Sequence, residues 1–466
     1  MSKYCLLYFL FFTFCMSIFS CKKDSFITSS NARLSTDVDS LKYDTVFTSV
    51  GSITQSFKIR NDNDQKLLLG NVKLMGGTAS SFTININGIA APEVTNIEIA
   101  AEDSMYVFVT VNIDPSLDDL PFIVKDSIQI SYNGNTKFVQ LEAFGQNANF
   151  LRGRVIETST TWNNRLPYVI LDRLQIDTNI TLTLEAGCKV YCHANAPILV
   201  DGTLVANGTK EQPVIFSGDR TDADYKDLPA SWPGIYFREN SKSNELIFTT
   251  VKNAYQAIVA ESPADNLFPK VTMRQCIVDN AYDAGVLCVN SSLFADNSLI
   301  SNCGSNINII YGGVYSFTNC TVASYSTYIS HRYPVLAANN FAIYDGSTFT
   351  TSLEAAFTNC IFWGEPGFVE NETSIGREGN DQFDVTFNNC LYRNAVEPAN
   401  STKNNCLLNQ DPLFDSIDVS RRIFDFHLDN NPSPAIDAGI SSVPYLKDLD
   451  NNNRIAPFDI GCYEKQ

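Results

Sequence analysis

Phe317-Thr-Asn319-Cys320-Thr-Val322 recurs as Phe357-Thr-Asn359-Cys360-Ile-Phe362 and again as Phe387-Asn-Asn389-Cys390-Leu-Tyr392. Looser copies lie upstream at Met273-Arg-Gln275-Cys276-Ile-Val278 and Ile300-Ser-Asn302-Cys303. Strict strand alternation would put Phe317 and Cys320 on opposite faces. They share an interior only if the chain bends between them. Asn tolerates left-handed backbone angles better than any residue but Gly, so the amide is the natural bend. Each copy therefore reads as two short strands meeting at a corner, with Phe317, Cys320 and Val322 inward. The cysteines recur at intervals of 27, 17, 40 and 30 residues. One such unit cannot bury its own apolar face, whereas a stack can. The pattern predicts a right-handed parallel β-helix with irregular rungs.

The rest of the chain is consistent with an all-β protein. Its 466 residues are 44% hydrophobic and only 18% charged, enough for a large core. The formal charge of −18 makes nucleic acid and anionic lipid head groups poor partners. Thirteen cysteines invite a disulfide reading. Equivalent side chains on adjacent rungs, however, sit about 4.8 Å apart, and disulfides prefer Cβ atoms roughly 3.5–4.5 Å apart. Cys320, Cys360 and Cys390 are therefore read as small buried thiols stacked in a ladder. Cys188 and Cys192, followed by His193, lack the second ligand pair of a zinc site.

Residues 1–20 combine Lys3, an apolar run from Cys5 to Phe14, and Ser17-Ile18-Phe19-Ser20 before Cys21. This is a secretory leader. Its ending at Cys21-Lys22-Lys23-Asp24 resembles a bacterial lipoprotein signal of the Bacteroidetes type. That resemblance implies lipidation of Cys21 and an outer-membrane location, on the surface or the periplasmic face. Residues 21–40 are polar and predict a tether.

From 41 to 147 short alternating strands such as Met105-Tyr-Val107-Phe-Val109-Thr-Val111 are punctuated by Asn87-Gly88, Asp114-Pro115 and Asn133-Gly134. This predicts a β-sandwich. Phe57-Lys-Ile-Arg-Asn61 with Asp126-Ser-Ile-Gln-Ile resembles the immunoglobulin-like modules of Bacteroidetes surface lipoproteins.

From 148 to 410, runs such as Ile198-Leu-Val200-Asp-Gly202-Thr-Leu204-Val-Ala206 suit tight parallel coils. They resemble the opening rungs of the pectate-lyase-like fold. Residues 411–466 contain Ser433-Pro-Ala-Ile436-Asp437-Ala-Gly439 and Asp459-Ile-Gly461-Cys462-Tyr463. This series resembles the C-terminal cap of bacterial surface β-helix proteins, expected to cover the last rung.

The resemblance raises polysaccharide lyase or glycoside hydrolase activity. The Asn-Thr-Asp, Asp-Asp, Gly-His-Gly and Arg-Ile-Lys signatures of such hydrolases are not found here in order. A lyase would use a Lys or Arg base beside carboxylates holding Ca²⁺. Between Lys252 and Arg332 only Lys270 and Arg274 are basic. The leading expectation is a non-catalytic scaffold or adhesin that binds glycan or protein along the coil; the alternative is an enzyme. Candidate ligand residues are Arg220 and Trp232 in one loop, and Tyr325, Tyr328, His331, Arg332 and Tyr333 in an insertion, where rings and a guanidinium suit sugar stacking. Asp448, Asp450 and Asn452 alternate oxygen ligands as Ca²⁺ loops do, without the Gly and distal Glu of an EF-hand. A cap turn is the competing reading, and no other cofactor is expected.

Overall fold

The computed structural model describes residues 25–47, 52–113, 122–222, 224–428 and 432–466. The leader and Cys21 lie outside the described residues. The chain is all-β and divides into two compact units, one ending at Asn147 and the other beginning at Ala148. Among the described residues no helix is long and apolar enough to cross a membrane.

In the first unit two five-stranded sheets enclose one apolar core. The alternation expected of Ser104–Val111 holds: Met105, Val107, Val109 and Val111 are buried, and the residues between them face outward. Asn133 and Gly134 both take positive φ, 43° and 80°, which a tight hairpin between Phe122–Tyr132 and Asn135–Gln146 requires. The expected tether is not free. Leu34–Thr36 pairs with Gln55–Asn61, Ala32 is buried, and Asn133 donates to the carbonyls of Ile27 and Ser29. Composition made this stretch look polar, but its few apolar residues, Ile27, Ala32 and Leu34, reach the core.

The second unit is a 26-stranded sheet whose strands pair in parallel with strands one turn further along the chain. Ser305–Thr318, for example, pairs with Leu353–Thr358, which pairs with Phe383–Asn388. The strands form three columns, the pairing pattern of a parallel β-helix. The corners are where the motif placed them. Gln275, Asn319, Asn359 and Asn389 have φ of 52°, 50°, 52° and 50°. Phe317, Phe357 and Phe387 stack inside, with ring centroids 5.5 and 5.0 Å apart. Each fully buried ring contributes roughly 1.5–3 kcal/mol.

One register assignment changes. Asn302-Cys303 turns a different corner, after Leu299–Ser301. The coil member that matches Gln275-Cys276 is Asn297-Ser298, and Asn405-Cys406 extends the series. The ladder is thus Cys276, Ser298, Cys320, Cys360, Cys390, Cys406, at intervals of 22, 22, 40, 30 and 16. Serine fits because every member bonds the carbonyl two residues earlier. Ser298 Oγ reaches Asp296 O at 2.9 Å, and Cys360 Sγ reaches Thr358 O at 3.3 Å. The thiols also reach back one coil, Cys360 to Phe317 O and Cys390 to Phe357 O at 3.3 and 3.4 Å. All ten described cysteines are free, and burial pushes the Cys276 thiol up to about 12.

The C-terminal segment does not cover the last rung; it lies along the flank. Asn389 donates to Ala438 O, and Asn359 exchanges hydrogen bonds with Ile440. Further down, Gln275 donates to Asp448 O and Lys210 pairs with Asp450. The chain then doubles back. Arg454 donates to Asn297 Oδ1, and the Cys462 N–H donates to Thr321 Oγ1. Apolar residues seal this strap: Leu299, Ala323, Ile361, Trp363 and Leu391 of the coil meet Phe426, Leu449 and Ile460. Ile361–Gly364 is accordingly buried on both faces. In the last coil Thr402–Asn404 stays exposed and Leu407–Leu408 is only partly covered.

Cys360→Ser should therefore cost no more stability than Cys360→Ala, because the hydroxyl finds the partners that Ser298 uses, whereas Ala leaves a small void. Denaturant melts of both variants check this; a serine variant less stable than the alanine one would show that the ladder requires sulfur.

Candidate functional site

A second set of asparagines turns the next corner of the coil. Asn253, Asn280 and Asn302 follow Thr249–Lys252, Ile277–Asp279 and Leu299–Ser301, with φ of 62°, 57° and 53°. Their main chains are locked coil to coil: Asn253 N–H donates to Asp279 O, and Asn280 N–H to Ser301 O. Their amides form a column. Asn280 Nδ2 donates to Asn253 Oδ1 and to Asp227 O, each at 2.8 Å. Asn302 Oδ1 accepts from Tyr325 N–H at 3.1 Å.

Against this column lies a cavity of about 340 Å³. Its other walls are Asp227, Tyr328, and Arg421, Arg422 and Phe424 from the C-terminal hairpin. The Arg422 guanidinium sits 3.7 Å from the Tyr328 ring centroid. Arg421 is held by Asp418 at 2.6 Å. Burial raises the Asp279 carboxyl, against hydrogen bonds from Ser301 and Asn302. Asn280 is buried, lines the cavity, and its Oδ1 has no partner. The cavity thus offers carboxylates, cations and an aromatic ring, the groups that engage a hydroxyl-rich molecule.

Of the candidate ligand residues expected from sequence, Tyr328 alone lines this cavity. Arg220 is spent on Asp222, at 2.8 and 3.1 Å, and on the face of Tyr225. Trp232 is fully buried and donates to Lys252 O; it fills the coil interior where its loop returns. Tyr325 packs under Phe424 and Phe426. His331 is buried, with Nε2 3.0 Å from Glu372 Oε1, an oxygen that Arg393 also reaches at 2.7 Å. Arg332 and Tyr333 are exposed and stand apart from the cavity lining. The sequence signal for the cavity is Val251-Lys-Asn253, Val278-Asp-Asn280 and Ile300-Ser-Asn302, of which only the last carries the following cysteine of the recurring motif. Nothing local marks Arg422 and Phe424 as neighbours of this column.

The Ca²⁺ candidates serve the strap. Asp448 Oδ1 accepts from Asn452 N–H at 2.7 Å and Oδ2 from Glu464 N–H at 3.1 Å. Asp450 pairs with Lys210 and with His427, whose Nε2 is 2.7 Å away. The protein's own donors and cations occupy the oxygens a metal would need. Among the described residues no group of three or more His, Cys, Asp or Glu is placed to hold a metal. His193 pairs with Asp219 at 2.7 Å, while Cys188 and Cys192 point into the core.

No protein-family model matches the chain. A stretch of 148 residues is 28% identical to Protein bark beetle of Drosophila melanogaster, covering 32% of this chain and 5% of that protein. The chain thus matches only a small fraction of that relative's length. A solved family 123 glycoside hydrolase from Clostridium perfringens aligns with a TM-score of 0.18 and 8% identity, over 24% of this chain and 26% of that one. Likeness at that level carries no argument about fold or activity.

The strap contact at His427 predicts a pH dependence. Burial alone would lower its pKa, but hydrogen bonds to Asp450 and Asp425 outweigh this and raise it. A raised folded-state value stabilises fully below the unfolded value of about 6.5. That contribution is lost as pH rises through the folded value. The Tm difference between wild type and His427→Gln should therefore be largest near pH 6 and shrink towards pH 9. A pH-independent difference would contradict the assignment.

Proposed function

We propose that this chain is a cell-envelope lipoprotein of the Bacteroidetes surface type, anchored in the outer membrane through Cys21. In this reading the first unit is an immunoglobulin-like spacer and the second a right-handed parallel β-helix of the pectate-lyase-like fold. The protein is a non-catalytic adhesin or scaffold that binds a glycan at the Asn280–Tyr328 cavity. The observation that carries the reading is a cavity beside the amide column that is walled by the Tyr328 ring, the Arg422 guanidinium and Asp227. A sugar face would stack on the exposed Tyr328 ring, and its hydroxyls would meet the Arg422 guanidinium and the carboxylate of Asp227. The coil's side-to-side amide column supplies a rigid wall for such recognition.

One observation favours the alternative of a lyase or hydrolase. Burial holds the Asp279 carboxyl above its ordinary value, as an acid catalyst requires.

A glycan panel with product analysis separates the two. Tyr328→Ala together with Arg422→Ala should weaken glycan binding at least tenfold, with little change in Tm, since both side chains are at the surface. For a neutral glycan the affinity should depend weakly on salt. Release of reducing ends or unsaturated products, abolished by Asp279→Asn, would establish the enzyme instead. Cys21→Ala should shift the protein from membranes to the soluble fraction; a variant that stays membrane-bound and takes up labelled fatty acid would refute the anchor.

A further inference from the structure

Lys270 is completely buried, and its ammonium donates to three backbone carbonyls, those of Arg238, Glu239 and Glu261, at 2.8, 2.9 and 2.6 Å. Burying a cation is expensive. Its effect here is to clamp the base of the loop Pro263–Pro269. The same loop is pinned elsewhere: Ser291 Oγ donates to Ser262 O, Asn266 Nδ2 to Ser243 Oγ, and Asp265 pairs with Lys242. Yet its tip holds Leu267 at 101% and Phe268 at 69% exposure. A loop fixed so firmly in order to keep two large apolar side chains in water does nothing for the core.

The tip borders a groove of about 660 Å³. Its floor is an outward-facing row of the sheet, Ser292 beside Val314 beside Glu354, and the exposed Asp384 follows Glu354 in that row just beyond the groove's lining. Phe294 and Val314 are partly exposed next to Phe268. The far end carries Glu354 and Asp381, and among the described residues no basic one lines the groove. The groove is therefore apolar at one end and acidic at the other. From Ser292 to Asp384 is three rungs, about 14 Å, the length of about four residues of extended chain. In an extended chain, residues four apart point the same way.

We propose that this groove docks an extended peptide segment of a partner protein. An apolar side chain of the peptide seats against Phe268 and Phe294. A basic side chain about four residues away faces Glu354 and Asp384. The site shares no residue with the Tyr328 cavity and stands independently of the glycan reading.

The test uses the full chain and a fluorescently labelled, N-acetylated heptapeptide amide, Gly-Phe-Ser-Gly-Ser-Lys-Gly, followed by anisotropy. Phe268→Ser and Glu354→Lys should each weaken binding at least tenfold without moving Tm. The peptide with Glu in place of Lys should bind Glu354→Lys better than wild type. Lys270→Met should raise deuterium uptake across 262–269 and weaken binding; if it fails to fold, the two surface variants still decide. Equal binding of the Lys and Glu peptides to wild type, unchanged binding by Phe268→Ser, no binding at millimolar peptide, or cross-linking of a neutral glycan to Phe294 would each overturn the proposal.

Discussion

The left-handed backbone of a single amide residue at each turn is the constraint on which the coil unit rests. A parallel stack forms only if the chain changes direction at the same height in every coil. An L-residue pays a steric penalty for positive φ, and asparagine pays least after glycine. Asn319, Asn359 and Asn389 meet that condition within a few degrees of one another. With the corners aligned, the phenylalanines two residues earlier fall into a ring stack and the following thiols into a ladder. A glycine would bend as well, but it would bring no side chain to bond.

The side chain is what distinguishes the two asparagine columns. On one corner the amides of Asn359 and Asn389 reach outward to the strap. On the other, Asn253 and Asn280 bond each other and the loop at Lys226 and Asp227, beside a cavity that both residues line. The same residue type, held in the same backbone state, thus serves as fastening in one column and as the wall of a cavity in the next.

Much of this was legible in the sequence because corner chemistry is local. The bend at Asn319 and the inward Cys320 follow from neighbours within three residues. The slip at Cys303 arose because an Asn-Cys pair can occur at either of two corners, while Ser298 kept the true register under a different residue name. Trp232 and His331 read as surface groups because they lie in segments that leave the coil and return; burial at the point of return depends on contacts 20 and 41 residues away, with Lys252 O and Glu372. Ile361-Phe-Trp363, apolar on successive positions, did carry a signal that both of its faces are covered. The cover itself, from residues about a hundred positions later, had no local mark.

The flanking strap also changes what kind of folding unit the coil is. A bare solenoid is quasi-one-dimensional, each repeat stabilised by its nearest neighbours alone. Here one segment bonds to corners from Lys210 to Asn389, so coils that never touch one another are coupled through it. The strap is also synthesised after the coils it binds, and its contacts close loops of up to 240 residues. Successive coils can stack as they emerge, but the corner amides that face the strap acquire their final partners only in a late, long-range step. The strap thereby acts as a ruler: adding or deleting a coil would displace every bond beyond it, so the number of turns is set by the partner that runs alongside.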